Sequence, residues 1–150
     1  MNSMLQPSAQ LPESNHSSYS QLGTFYDEKY QLMWCVMHAS PRPCFTPALL
    51  DEISHFHGTV VSQSTSSEGH KISYIAWASD VPGVFNLGGD LNLFRTLIQS
   101  KDRNGLLRYT TSCIKVLHAN ICHFDQDITT ISLVQGDALG GGFEGALSSG

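Results

Sequence analysis

The sequence is short of charge. Only 14% of its 150 residues are Asp, Glu, Lys or Arg, and the balance is acidic, 13 against 8. A nucleic-acid-binding face needs clustered basic side chains, as does a polybasic membrane-surface segment, so the composition argues against both partners. Long apolar runs are also missing. Stretches such as Tyr74 to Ala78 are strand-sized, well below the ~18 residues of a spanning helix. The start of the chain has neither a basic n-region nor an apolar h-region, so the expectation is no secretory signal and a cytoplasmic location. Cysteine is sparse, with four and no CxxC pair, and a chain of this length needs no disulfide staples. Cys113, His118, Cys122 and His123 lie close together, but their spacing fits no common zinc pattern. The expectation is reduced thiols and no metal.

What is present is enough apolar material, 41%, to build one domain of ordinary size. Residues 1–21, rich in Ser, Gln, Asn and Pro, read as a flexible tail. Residues 22–150 carry the periodic patterns. Thr24 to Met37 reads as a short β-hairpin, and Pro41, Pro43 and Pro47 end it. Thr46 followed by Pro47 starts a helix, with Leu49, Leu50, Ile53 and Phe56 at helical spacing. Gly58 or the stretch from Ser62 to Ser67 ends or loosens it. Ile72 to Ala78 is a buried strand. Asp90 caps a helix over Leu91 to Ile98, and Asp102 caps a longer one. The apolar stripe of that longer helix runs Leu106, Thr110, Cys113/Ile114, Leu117, Ile121. Thr129 to Val134 is a strand, and a helix begins near Phe143. Strands alternating with helices mean an α/β fold with crossover connections.

Two glycine-rich turns follow strands and precede helices: Phe85-Asn86-Leu87-Gly88-Gly89-Asp90, and Gly136 to Glu144. Glycine lets backbone N–H groups approach a ligand with no Cβ in the way. A helix N-terminus adds free donors and a positive dipole end. Two such turns meeting at one point form a two-donor anion hole; taken singly, each also reads as a plain connection. Gly140, Gly142 and Gly145 match G-x-G-x-x-G, but Gly136 to Leu139 separate them from the strand, and the confirming acidic residue ~20 positions on is not in the sequence. Neither a P-loop lysine nor a G-x-S-x-G elbow occurs, which removes nucleotide and serine-hydrolase chemistry.

Taken together, the two turns resemble the crotonase (enoyl-CoA hydratase/isomerase) superfamily. Within it, Phe-Asn-Leu-Gly-Gly-Asp-Leu from Phe85 and Val-Gln-Gly-Asp-Ala-Leu-Gly-Gly-Gly-Phe-Glu from Val134 are most similar to the diffusible-signal-factor synthases. The resemblance spans residues 22–150. It implies a crotonase-like ββα spiral fold, truncated after the first catalytic turn. It implies that the Gly89 and Gly141 N–H groups bind the carbonyl oxygen of an acyl-CoA or acyl-carrier-protein thioester. It makes Glu144 the first acid/base, with Phe85, Leu87, Gly88, Gly140, Leu93 and Leu97 around the substrate. Phe85, Leu93, Phe94 and Leu97 suit an acyl tunnel, and their spacing suits ordinary core equally.

The implied reaction is dehydration of a 3-hydroxyacyl thioester, then thioester hydrolysis to a cis-2-unsaturated fatty acid used in quorum sensing. No cofactor is required. Family members assemble as homo-oligomers, usually trimers, and in this branch a sensor kinase's receiver domain can restrain the enzyme. The family's hydratases carry a second glutamate roughly twenty residues after the first, where both can share a water. That position lies past residue 150, so little hydratase activity is expected of these residues alone, and Phe143 and Leu147 are expected to be partly exposed. Two other readings stand beside this one: a general acyl-CoA hydratase/isomerase of fatty-acid metabolism, and a non-catalytic chain acting by protein binding.

Overall fold

The computed structural model describes residues 19–38, 40–64 and 71–150. Helix α1 (Pro47–Ser64) begins where its capping chemistry predicts. The Thr46 hydroxyl accepts the Leu49 N–H at 3.1 Å, and Pro47 lacks only an N–H that the first turn leaves unused. Leu49, Ile53, Phe56 and Val60 share one face and are all buried, each contributing about 1.5–3 kcal/mol relative to exposure. Gly58 does not end the helix, which runs on to Ser64; residues 65–67 of the expected Ser-rich break lie outside the described residues.

That buried face packs on a four-stranded sheet of order β1-β2-β3-β5. β1 (Leu22–Asp27) and β2 (Leu32–Met37) form the expected hairpin, antiparallel, with Leu22 opposite Met37. β3 (Tyr74–Ser79) runs parallel to β2, and β5 (Thr129–Ser132) parallel to β3. Parallel neighbours require crossovers, and α1 forms the first. Ile75, Ala76, Trp77 and Ala78 are buried in succession, so both faces of β3 are covered, as expected for a strand inside a parallel sheet.

After β3 the chain leaves this sheet. β4 (Gly83–Asn86) pairs in parallel with β6 (Gly136–Ala138), a three-residue strand inside the segment that reads as a glycine turn. A Cβ on Gly136 would overlap the Gly83 backbone, so glycine is what allows the pair to close. This pairing sets the two glycine-rich turns side by side.

Helices α2 (Leu91–Gln99) and α3 (Arg103–Ile121) begin at the expected aspartates. Asp90 accepts the Asn92 and Leu93 N–H groups, both at 3.1 Å, and Asp102 accepts the Gly105 N–H at 2.8 Å. The expected stripe of α3 is corrected. Its buried residues are Gly105, Tyr109 and Asn120, while Ile114 and Ile121 are 63% and 52% exposed. Leu106, Thr110, Cys113 and Leu117 of the stripe are half-buried and Val116 packs on the core, while the most deeply buried side chains, Tyr109 and Asn120, are polar and hydrogen-bond to distant elements, a pairing that apolar periodicity does not reveal.

Helix α4 (Gly141–Leu147) starts two residues before Phe143. Phe143 and Leu147 are 53% and 67% exposed. At the other end, Ser20 and Gln21 donate backbone N–H groups to the Glu52 carboxylate at 2.8 Å, so residues 19–21 of the expected tail dock on α1. Residues 1–18 lie outside the described residues. Among the described residues, no helix is long and apolar enough to cross a membrane.

Candidate active site

The first turn leaves β4 at Asn86, which is fully buried. Its Oδ1 accepts the Gly88 N–H at 2.7 Å, an Asx turn two residues long. Gly88 takes φ +87°, where a side chain is strained, and a Cβ there would come within 2.7 Å of the Leu139 carbonyl oxygen and 2.8 Å of the Gly141 nitrogen. Phe45 aligns with Gly89 in a parallel bridge, and the Phe45 N–H donates to the Gly88 carbonyl at 2.8 Å. In a trans peptide the C=O and the following N–H point oppositely. The bond to Phe45 therefore aims the Gly89 N–H away from Phe45.

The second turn reaches the same place by a different route. Gly140 takes φ +50° and ψ −125°. Its carbonyl accepts the N–H groups of Phe143 and Glu144 at 3.0 and 3.1 Å, which leaves the Gly141 N–H pointing out of the helix start. A Cβ on Gly141 would stand 3.6 Å from Gly88 Cα and 3.8 Å from the Gly89 nitrogen. The turns are thus in van der Waals contact. Neither the Gly89 nor the Gly141 N–H donates to an acceptor among the described residues. Gly142 is packed so tightly on Asn86 that a Cβ would overlap the Asn86 carbonyl.

Glu144 lies one turn along α4 from Gly141, on the flank of the same face. It is exposed, and its carboxylate has no hydrogen bond or ion pair among the described residues. Beneath α4 lies a cavity of about 60 Å³, bounded by Phe45, Trp77, Phe85, Val116, Gly141 and Gly145 among others. Of the residues expected around a substrate, Phe85 lines this cavity, and Leu87 (39% exposed), Gly88 and Gly140 border the junction of the turns. Leu93 and Leu97 do not line this cavity. Leu97 faces α3, where a Cβ on Gly105 would come 2.8 Å from Leu97 Cδ2. Phe94 stacks edge-on against Tyr109 with ring centroids 5.2 Å apart. Of the four apolar members of the expected tunnel, Phe85 lines the cavity and Phe94 lies against Gly89, where its Cε2 would stand 3.0 Å from a Cβ.

Three polar residues that the sequence reading did not single out hold the first turn. Arg42 Nη2 contacts both Asp90 carboxylate oxygens at 2.8 Å. The Tyr109 hydroxyl accepts the Asp90 N–H and donates to the Phe45 carbonyl, both at 2.7 Å. Burial pushes the Tyr109 pKa up, so the hydroxyl stays protonated and serves as donor and acceptor at once. Asn86 could have been found from its position two residues before Gly88, a common side-chain-to-backbone turn. Tyr109 carries no local signal, because its partners lie 19 and 64 residues away.

The sheet order, the β4–β6 pair and the meeting of the two turns define a crotonase-like α/β fold. Solved structures agree. The chain superposes on DspI from Pseudomonas aeruginosa with a TM-score of 0.71 and 18% identity, covering 91% of this chain and 47% of DspI. An enoyl-CoA hydratase from Geobacillus kaustophilus gives a TM-score of 0.68 and 20% identity, with 89% and 45% of the two chains covered. Human enoyl-CoA hydratase domain-containing protein 3 gives 0.68 and 16%, with 87% and 46% covered. The chain spans about half the length of these structures. Compared with family models and with curated proteins, the sequence matches none.

Proposed function

We propose that these residues supply the oxyanion hole and the first acid/base of a crotonase-type enzyme acting on acyl thioesters, of the diffusible-signal-factor synthase kind. The single observation that carries the reading is the pair of N–H groups, Gly89 and Gly141, unpartnered among the described residues, on glycine turns in contact, with Glu144 one turn further along the same helix. Removing a proton alpha to a thioester moves the C–H electron pair toward the carbonyl oxygen. Two fixed donors stabilise that charge without reorganising, and removing one typically costs about 10²–10³ in rate.

The substrate is a 3-hydroxyacyl group on CoA or a carrier protein, its carbonyl oxygen on the two glycines and its Cα facing Glu144. The Glu144 carboxylate takes the Cα proton, and the enolate then expels the β-hydroxyl as water, with a proton supplied by a second acid. Hydrolysis follows at the same carbonyl. Water adds as the second group, deprotonated by the elimination, takes a water proton; the tetrahedral oxyanion occupies the same hole, and the thiolate leaves and takes the proton that Glu144 carried from Cα. Neither step involves a metal or a redox cofactor.

Proton exchange at Cα needs only the hole and one base, in this reading Gly89, Gly141 and Glu144. In D2O the chain is expected to wash deuterium into the Cα position of 3-hydroxyoctanoyl-CoA, read by mass spectrometry. Glu144→Gln is expected to slow this by about 10²–10⁴-fold. Equal exchange by both proteins would sink the proposal.

A further inference from the structure

A backbone donor works only where its peptide is held, and the loop around Gly89 is held by one side chain from α3. We infer that Tyr109 is a positioning residue for the Gly89 donor, which rests on reading Gly89 and Gly141 as an oxyanion hole. The Phe45 N–H bonds the Gly88 carbonyl at 2.8 Å and so sets the peptide that carries the Gly89 N–H. The Phe45 carbonyl in turn accepts the Tyr109 hydroxyl, and that hydroxyl accepts the Asp90 N–H, each at 2.7 Å. The bridge therefore clamps the peptides before and after Gly89 to one strand segment, with the Tyr109 oxygen as the closing link.

The ring is fixed as well. Tyr109 is 5% exposed and meets Phe94 edge-on, and Phe94 Cε2 would stand 3.0 Å from a Cβ on Gly89. The Gly141 donor has no such clamp, because its peptide is set by the Gly140 carbonyl and the start of α4. Loss of the Tyr109 hydroxyl should therefore disorient one donor and spare the other.

The test is Cα deuterium exchange with 3-hydroxyoctanoyl-CoA by the full chain. In Tyr109→Phe the rate at saturating thioester should fall about 10–100-fold, with the half-saturating concentration within about twofold of wild type, because a contact that is weak with the bound carbonyl and strengthens as the enolate develops is lost. Val60→Ala, a core truncation away from both turns, should lower the melting temperature and leave the exchange rate unchanged. In amide NMR spectra, adding the thioester should shift both the Gly89 and Gly141 resonances in the wild type, and only Gly141 in Tyr109→Phe. The inference is overturned by a Tyr109→Phe rate within about twofold of wild type, by an equal loss in Val60→Ala, or by loss of the Gly141 shift together with that of Gly89. A Gly141→Pro chain that exchanges as fast as wild type removes the oxyanion-hole reading and this inference with it, whereas an unchanged Tyr109→Phe rate beside a slowed Gly141→Pro rate removes this inference alone. Should Tyr109→Phe not fold, difluorotyrosine at position 109 keeps the ring and the hydroxyl while weakening it as an acceptor. Severalfold slower exchange then supports the inference, and an unchanged rate overturns it.

Discussion

The two glycine turns present the same chemical group by opposite means. The first is braced by side chains: Asn86 within the turn holds Gly88, and from outside it Tyr109 holds Asp90 and Arg42 holds the Asp90 carboxylate. The second has no side-chain brace among the described residues. Gly140 and the first turn of α4 supply its geometry from the backbone alone. The difference teaches where each donor is vulnerable. Distant substitutions can move Gly89, whereas Gly141 yields only to changes at the junction itself.

The largest expected effect is at that junction. In Gly142→Ala the new Cβ overlaps the Asn86 carbonyl, which is backbone and cannot swing aside. The two turns must separate, at a cost of about 3 kcal/mol or more, beyond ordinary overpacking. Urea unfolding should show the loss, and thioester binding should disappear with it. An unchanged midpoint would mean that the turns do not touch. Next comes Gly141→Pro. Proline suits the first helical position and deletes one N–H. Cα exchange should fall about 10²–10³-fold, while the melting temperature moves by a few degrees at most. A rate near wild type would remove Gly141 from the hole.

Thr46-Pro47, Asp90 and Asp102 mark helix starts through bonds spanning two or three residues, so they were legible. The paired glycines pointed to a shared anion hole because conformational freedom and helix polarity are local properties. The bracing was not legible. Tyr109 and Asn120 sit where a hydrophobic stripe should run, and their partners come from other elements: Trp77 Nε1 donates to Asn120 Oδ1 at 2.8 Å across 43 residues. β6 stayed hidden because three residues of Gly-Asp-Ala carry no strand pattern, and only pairing with β4 makes them a strand.

A third region offers a reference against which both turns can be read. His57 is buried among Phe56, Trp77 and Phe124, with ring centroids 4.5–6.3 Å away, and burial lowers its pKa to about 4. Between its ordinary value of ~6.5 and that figure, the unfolded chain binds more protons than the folded one. Stability should therefore be full above pH ~6.5 and fall as the pH drops toward 4, by up to about 3 kcal/mol. His57→Phe should flatten this dependence in urea unfolding at neutral and mildly acid pH. A slope that survives the substitution would assign it to other groups. Because His57 lies in the core, the loss should appear as global unfolding and not as selective loss of either donor.

Asn86→Ala sharpens the contrast between the turns. The Gly88 N–H loses its acceptor inside the protein, at about 1–3 kcal/mol, while Leu139 keeps its 3.0 Å bond to the Asn86 carbonyl, which is backbone. Thioester-induced NMR shifts should weaken at Gly89 and persist at Gly141. Equal weakening would show that the turns move as one body.

The smallest effect separates two roles of Asp90. Its Oδ1 caps α2 through Asn92 and Leu93, and both oxygens meet Arg42. Asp90→Asn keeps an oxygen for the cap and loses only the charge, so its effect should be small, since Arg42 is 45% exposed and its pairing is screened by water. Asp90→Ala removes the cap as well and should cost about 1 kcal/mol more. If instead Asp90→Asn is as damaging as Asp90→Ala in urea unfolding, the ion pair and not the cap holds the first turn, and Arg42 joins Tyr109 in bracing Gly89. If the two differ as expected, the charge at Asp90 is dispensable, and the brace on the first donor reduces to hydrogen bonds that neutral groups can make.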